Sequence, residues 1–353
     1  MRIVILGLSL SSSWGNGHAT TYRALVEALH ARGHEVAFLE RDVPWYAENR
    51  DLDRSPHCDL HFYQTLDDLA ALRPTITAAD AVVLGSYVPE GVRVAEHLLA
   101  VAEGPVAFYD IDTPVTLAKL EAGDHEYLTP ALIPRFDLYL SFSGGAALEA
   151  LVGRWGARLA RPLYCGVDAE RYRPLALGKR WDMGYLGTYS ADRQPALERL
   201  LLEPARRLPE RRFVVAGPQY PRGIDWPANV ERIEHVPPTG HAAFYGALRF
   251  ALNVTRAAMI EAGHSPSVRL FEAAACGVPI LTDRWTGIED FFAPERELRI
   301  VDDTAMVVET LGGMAAERAR AMGAAGRERV LRDHTASRRA EELERSLAVA
   351  AGR

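Results

Sequence analysis

The sequence predicts an α/β protein of two doubly wound parallel-sheet domains that face each other across a cleft. Three observations carry this. Short apolar runs recur along the chain, alternating with segments of helical periodicity. The alternation occurs in two successive series, each of about 170 residues. The 353 residues, 48% hydrophobic and 25% charged, have the size and balance of two soluble domains with ample core.

Residues 2–8, RIVILGL, read as a strand buried on both faces. A polar loop with glycines follows, then a helix that sets Tyr22, Leu25, Val26 and Leu29 on one stripe. Arg32-Gly33 ends it, glycine suiting the left-handed position after a helix, and residues 35–40 form the next strand. This β-α-β unit implies a parallel sheet. Further strands are expected over 81–85, 106–109 and 138–142. The second series places strands over 183–186, 213–216, 230–233, 250–254 and 278–282. The break falls in the proline-bearing stretch 165–180, giving domains of 1–168 and 169–353. Residues 315–351, rich in Ala, Arg and Glu, read as one or two amphipathic helices able to pack back on the N-terminal domain. In open parallel sheets, ligands sit beyond the carboxyl ends of the strands, so the strand-to-helix loops carry the functional weight.

The net charge of -7 disfavours nucleic acid and anionic membrane as partners and favours small or neutral ones. Lys119 and Lys179 are the only lysines, so a phosphate clamp must use arginine or backbone N–H groups. Cys58, Cys165 and Cys276 lie far apart, without zinc-type spacing, which fits a reducing cytoplasm. The apolar start, Met1 to Leu10, imitates a signal sequence but runs straight into a folded pattern. No apolar run approaches the roughly 20 residues of a membrane span. Oligomeric state is not legible.

The strongest candidate site is His264 to Asp283, HSPSVRLFEAAACGVPILTD. Ser265 reads as a capping hydroxyl and Pro266 as the first helical residue. The helix would end at Gly277. Its first turn, with Ser267 and Val268, offers unpaired N–H groups and the positive dipole end to a diphosphate. Arg269 and Glu272, three apart, share one face and suit a phosphate and a sugar or ribose diol. A capped core helix with a surface ion pair is the plain alternative.

FEAAACGVPILTD resembles the donor-site motif of the retaining GT-B glycosyltransferases, the group 1 type. YCGVDAERYRP, Tyr164 to Pro174, is similar to the linker that opens their second domain. RALVEALHARGHEV, from Arg23, and GRERVLRDHTASRRAEELERSL, from Gly326, resemble their first β-α-β unit and closing helices. SPSVRLFEAAACG and YDIDTP are closest in flavour to the CgeB-like spore-maturation members. The resemblance implies two Rossmann-like domains, the N-terminal one for the acceptor and the C-terminal one for the donor. It also implies a nucleoside-diphosphate sugar of UDP or dTDP type as co-substrate, with no other cofactor and no metal. Glu272 is the implied partner of the ribose hydroxyls. The family's E-x7-E pattern is broken here, since His264 stands at the first glutamate. That leaves His264 as a catalytic candidate in the sugar-facing position, with Glu261 three residues earlier.

The remaining candidates follow strands. In WGNGH, Gly15 and Gly17 let the backbone approach the donor, and His18 opens the helix as a catalytic candidate or a cap. This is not the dinucleotide glycine fingerprint. In YDIDTP, Asp110 or Asp112 would meet acceptor hydroxyls, Asp112 being the catalytic candidate; an Asx turn before Pro114 is the alternative. Their D-x-D spacing is similar to the metal motif of the GT-A fold, but the two-Rossmann pattern argues against that reading. Thr188, Tyr189 and Arg193 stand where the family grips the diphosphate, Arg193 supplying the cation. Gly217 in VVAGPQYP and His235 in HVPP fall where the family lines the nucleotide, and Arg256 in NVTR is a second diphosphate candidate. A nucleotide-sugar epimerase and a non-catalytic nucleotide-sugar-binding protein are the competing functions for this fold.

Overall fold

A computed structural model describes residues 1–14 and 17–352. The chain divides into two compact units, Met1–Gly166 with Ala336–Arg353, and Val167–Thr335.

The first unit holds seven parallel strands: β1 (Arg2–Gly7), β2 (Glu35–Arg41), β3 (Asp59–Tyr63), β4 (Ala81–Gly85), β5 (Val106–Asp110), β6 (Leu138–Ser141) and β7 (Ala160–Pro162). Their order is β3-β2-β1-β4-β5-β6-β7, with Ile3 aligned to Val36 on one side and Ala81 on the other. The order reverses between β1 and β4, and the loops leaving those two strands flank the switch point. Ile3, Val4, Ile5 and Leu6 are all buried, because helices cover both faces of the sheet. Helix Gly17–Ala31 buries the expected Tyr22, Leu25, Val26 and Leu29. Helix Ala336–Ala350 adds Ala340, Leu343 and Leu347 to the same apolar cluster.

The second unit repeats the plan with six parallel strands: β8 (Trp181–Leu186), β9 (Phe213–Ala216), β10 (Val230–Ile233), β11 (Leu248–Asn253), β12 (Ile280–Thr282) and β13 (Arg299–Ile300). The order β10-β9-β8-β11-β12-β13 puts its switch point between β8 and β11. Met183 is in register with Phe213, and Phe250 with Met183.

Three strands went unread. β3 (DLHFY) is a half-exposed edge strand, whereas β7 and β13 have only three and two residues. The 250–254 strand starts two residues earlier, and the 278–282 strand starts only after Pro279, which cannot donate to the sheet. Among the described residues no helix is long and apolar enough to cross a membrane.

Candidate functional site

Helix Val268–Ala275 follows β11 and the short helix Ala257–Ala262. Its cap corrects the sequence reading. Ser267, not Ser265, is the N-cap, its hydroxyl accepting from the Arg269 N–H at 3.3 Å. Pro266 lies one residue outside, and Ser265 instead donates to the Gly263 carbonyl. The helix ends at Ala275, and Gly277 takes the left-handed conformation at φ +70°. Phe271, Ala274 and Ala275 are buried, whereas Val268 in the first turn is partly exposed.

Arg269 and Glu272 meet, as their spacing implies, in an ion pair. It is not a surface pair: Glu272 is 2% exposed and Arg269 31%. Burial opposes the Arg269 charge, but Glu272, Tyr245 and Tyr172 outweigh it and raise its pKa. The Arg269 Nη1 also lies 3.2 Å from His241 Nδ1, which is 3.0 Å from the Tyr172 hydroxyl.

The two other expected cations, Arg193 and Arg256, lie with the expected loops at the carboxyl ends of β8, β9 and β11. Arg193 donates to the Thr188 carbonyl at 2.7 Å, closing the loop after β8. The Tyr189 N–H reaches across to the Pro218 carbonyl at 3.0 Å. Gly217, φ +145°, lets the loops after β8 and β9 touch backbone to backbone: a Cβ there would lie 2.0 Å from the Gly187 oxygen. Tyr220 donates to that oxygen at 3.2 Å, and Arg232 lies against the rings of Tyr220 and Trp226. Asp192 accepts from Ala257 N at 2.9 Å, just after Arg256. Burial opposes its charge, yet Ser190, this N–H, Arg256 and Arg193 together hold its pKa below the usual range. Burial raises the Tyr185 hydroxyl, while Arg193 and Arg269 both counter that rise. Arg193 is thus electrostatically linked to Arg256 through Asp192 and to Arg269 through Tyr185. His235, on the loop after β10, is exposed.

His264 adopts φ +44°, its N–H donating to the Thr286 carbonyl and its Nδ1 lying 2.8 Å from Asp290 Oδ2. Its ring rests on Gly287, where a Cβ would fall 2.3 Å from Nδ1. The loop ends before and after it are tied by Thr255, whose N–H and hydroxyl donate to buried Asp283 at 2.9 and 2.7 Å. Glu261 is exposed.

In the first unit, the loop after β1 is held by a buried carboxylate at the end of β2. Glu40 accepts from Ser9 Oγ (3.0 Å), Leu10 N (2.6 Å), Ser11 N (2.9 Å) and Ser11 Oγ (2.6 Å). Gly15 lies outside the described residues. Gly17 opens the helix with open space where a Cβ would point, and His18 follows, its ring edge-on to Tyr87 at 5.4 Å. Burial lowers the His18 imidazole to about 4. Tyr87, left-handed at φ +63°, donates to Asp112 Oδ2 at 3.1 Å. Asp112 is the residue before helix Thr113–Glu121.

Asp110, offered as an acceptor contact, proves to be structural. It is fully buried and accepts from Tyr139 (2.6 Å), Thr116 (2.8 Å) and the Asp112 N–H (3.2 Å). Burial raises its pKa to about 6 against the pull of those bonds.

Sequence reasoning missed Glu40, Tyr87, Tyr172, His241 and Asp290. Glu40 precedes Arg41 and reads as a solvated strand end. The others reach their partners from distant segments, which no local spacing reveals.

Residues 193–345 match the family model described as glycosyl transferase-like. No curated protein matches the sequence. The fold resembles several solved structures over nearly its whole length. Sucrose-phosphate synthase from Thermosynechococcus elongatus aligns with a TM-score of 0.71 at 18% identity, covering 99% of this chain and 100% of that one. Anabaena HepE in complex with UDP and glucose aligns at 0.70 and 12% identity, with 99% and 100% coverage. An alpha-glucosyltransferase in complex with UDP and a 13-mer DNA containing an HMU base aligns at 0.71 and 12% identity, covering 99% of each chain. The fold class is therefore that of the two-Rossmann-domain, GT-B proteins.

Proposed function

We propose that this protein is a glycosyltransferase that moves a sugar from a UDP or dTDP sugar to an acceptor. The second unit, Val167–Thr335, holds the donor, and the first unit holds the acceptor. The observation that carries the reading is the capped helix Val268–Ala275 bearing paired Arg269 and Glu272, beside Arg193 and Arg256. All four residues fall inside the segment that matches the glycosyl transferase-like family. Anabaena HepE, of the same fold, forms complexes with UDP and with UDP-glucose.

The chemistry follows from the charges. The bond between the anomeric carbon and the diphosphate oxygen breaks, and negative charge grows on the leaving diphosphate. Arg193, Arg256 and Arg269, with the helix N–H groups at Ser267 and Val268, stabilise that charge. With arginines in that role, the reading requires no metal. An acceptor hydroxyl forms the new bond on the face the diphosphate leaves, and its proton passes to a departing phosphate oxygen. The configuration is then retained.

Glu272 takes the ribose hydroxyls, while Thr188, Tyr189, Gly217 and His235 line the nucleotide. His264, oriented by Asp290, faces the sugar. His18 and Asp112, joined through Tyr87, orient the acceptor.

A thermal-shift panel tests the donor site. UDP or dTDP is expected to raise the melting temperature, and NAD to leave it unchanged. A flat response to UDP, dTDP and GDP alike would remove the reading.

A further inference from the structure

The donor helix meets a histidine that neither motif nor family resemblance singles out. His241 opens helix His241–Gly246 just after the HVPP loop, and its side chain is buried. Its Nε2 lies 3.1 Å from the Val236 carbonyl oxygen. A carbonyl only accepts, so Nε2 carries the proton. The groups facing the ring are Arg269 and Glu272 from the donor helix, Tyr172 from the segment before β8, and His235. Burial lowers the imidazole to about 4; Glu272 pulls it up, while Arg269 and His235 push it down. The ring is therefore neutral near pH 7, and Nδ1 presents a lone pair. Arg269 Nη1–H lies 3.2 Å from it, and the Tyr172 hydroxyl, 3.0 Å away, also hydrogen-bonds Glu272.

We propose that His241 is a positioning residue of the donor site, its Nδ1 lone pair holding the Arg269 guanidinium in its phosphate-facing place. This rests on the donor reading above. Arg269 Nη1 is shared between Glu272 and His241. Without the second acceptor, the guanidinium would answer to the carboxylate alone and its remaining N–H groups would lose their fixed aim. A planar fork recognises a phosphate well only when its orientation is set beforehand. Tyr172 closes the arrangement from the other side, bringing the residues that open the second unit into the donor site.

The two conservative amides separate this role from a plain structural tether. Asparagine places its Oδ1 near the position of Nδ1, so His241→Asn keeps the acceptor for Arg269 and gives up the bond to Val236. His241→Gln places its Nε2 near the ring Nε2 and keeps that bond, without the acceptor. Binding of UDP, dTDP and GDP is measured by calorimetry for the full chain, its His241→Asn, His241→Gln and His241→Leu variants, and each change in an Arg269→Ala background.

The best-bound nucleotide is expected to lose about ten-fold in affinity with Leu or Gln and less than about three-fold with Asn. In the Arg269→Ala background, the Leu change is expected to cost less than two-fold, because its target is already gone. Gln equal to or better than Asn, or additive effects of Leu and Arg269→Ala, would overturn the proposal while leaving the donor reading intact. If the unaltered chain binds none of the three nucleotides, the donor reading falls and takes this one with it. Nitrogen-15 NMR of the unaltered protein adds a check that needs no variant. It should find His241 protonated on Nε2 alone, and a proton on Nδ1 would refute the proposal.

Discussion

Gly217→Ala tests whether the nucleotide loops depend on a contact that only glycine permits. A Cβ at this position would lie 2.0 Å from the Gly187 carbonyl oxygen, 2.5 Å from its carbon and 3.1 Å from Thr188 N. Side-chain carbons do not approach below about 3.0 Å, so the loops after β8 and β9 must separate by about 1 Å. Overpacking of this kind costs about 1–3 kcal/mol. The φ of +145° is hostile to alanine, and such backbone strain adds about 1–3 kcal/mol. Separation would also stretch the 3.0 Å bond from Tyr189 N to the Pro218 carbonyl. The combined loss is about 2–6 kcal/mol, enough to remove a large share of an ordinary protein's stability. Urea denaturation followed by circular dichroism measures it, with Gly178→Ala as control. Nothing lies within 4 Å of a Cβ at Gly178 and its φ is not positive, so its change should stay within about 0.5 kcal/mol. Where the Gly217 variant remains folded, UDP affinity should fall by about ten-fold, since about 1.4 kcal/mol of lost positioning suffices. Wild-type stability together with wild-type UDP affinity would refute the reasoning.

Two further outcomes follow from buried acids in the first unit. Glu40→Leu leaves two backbone N–H groups and two hydroxyls without their acceptor and should cost about 3–5 kcal/mol. Glu40→Gln should cost only about 1–2 kcal/mol, because its oxygen can keep the two N–H groups while the serine hydroxyls turn to accept; equal losses by urea denaturation would contradict this. Asp110 has its folded pKa raised by burial to about 6, against 3.8 for the unperturbed group. Its contribution is complete below about pH 4 and disappears as pH rises through about 6, a change of about 3 kcal/mol. Asp110→Asn does not titrate, so the stability of the variant relative to wild type should rise by about that amount between pH 4 and pH 7. Parallel pH profiles would show that the carboxyl is not held protonated.

The sheet skeleton was legible because strands covered on both faces become unbroken apolar runs, as in Ile3–Leu6 and Val214–Ala216. β3 was not, because Asp59 and His61 interrupt a half-exposed edge strand in which Tyr63 alone is fully buried. Ser265-Pro266-Ser267 offers two capping hydroxyls around one proline, and the sequence does not say which serine closes the first turn. The structure chose the second, so proline precedes the cap. Arg269 and Glu272 were readable because helical spacing alone brings them together. His241 and Tyr172 were not: 28 residues separate His241 from Arg269 and 69 separate it from Tyr172. Glu40 shows the reverse limit, a charge that sequence habit assigns to solvent and tertiary packing commits to four donors.

The first unit is assembled from two stretches of chain, Met1–Gly166 and Ala336–Arg353, with all of the second unit between them. Its apolar cluster is complete only when Ala340, Leu343 and Leu347 arrive beside Leu25 and Leu29. During synthesis the intervening segment takes roughly 10–30 s to emerge at ordinary translation rates. The nascent first unit spends that interval with one face of helix Gly17–Ala31 uncovered. The second unit meets no such delay: it is continuous, and a backbone bridge from Val167 to Thr335 draws its ends together. Order of birth and order of completion are therefore opposite, and the half made first is the last to be finished.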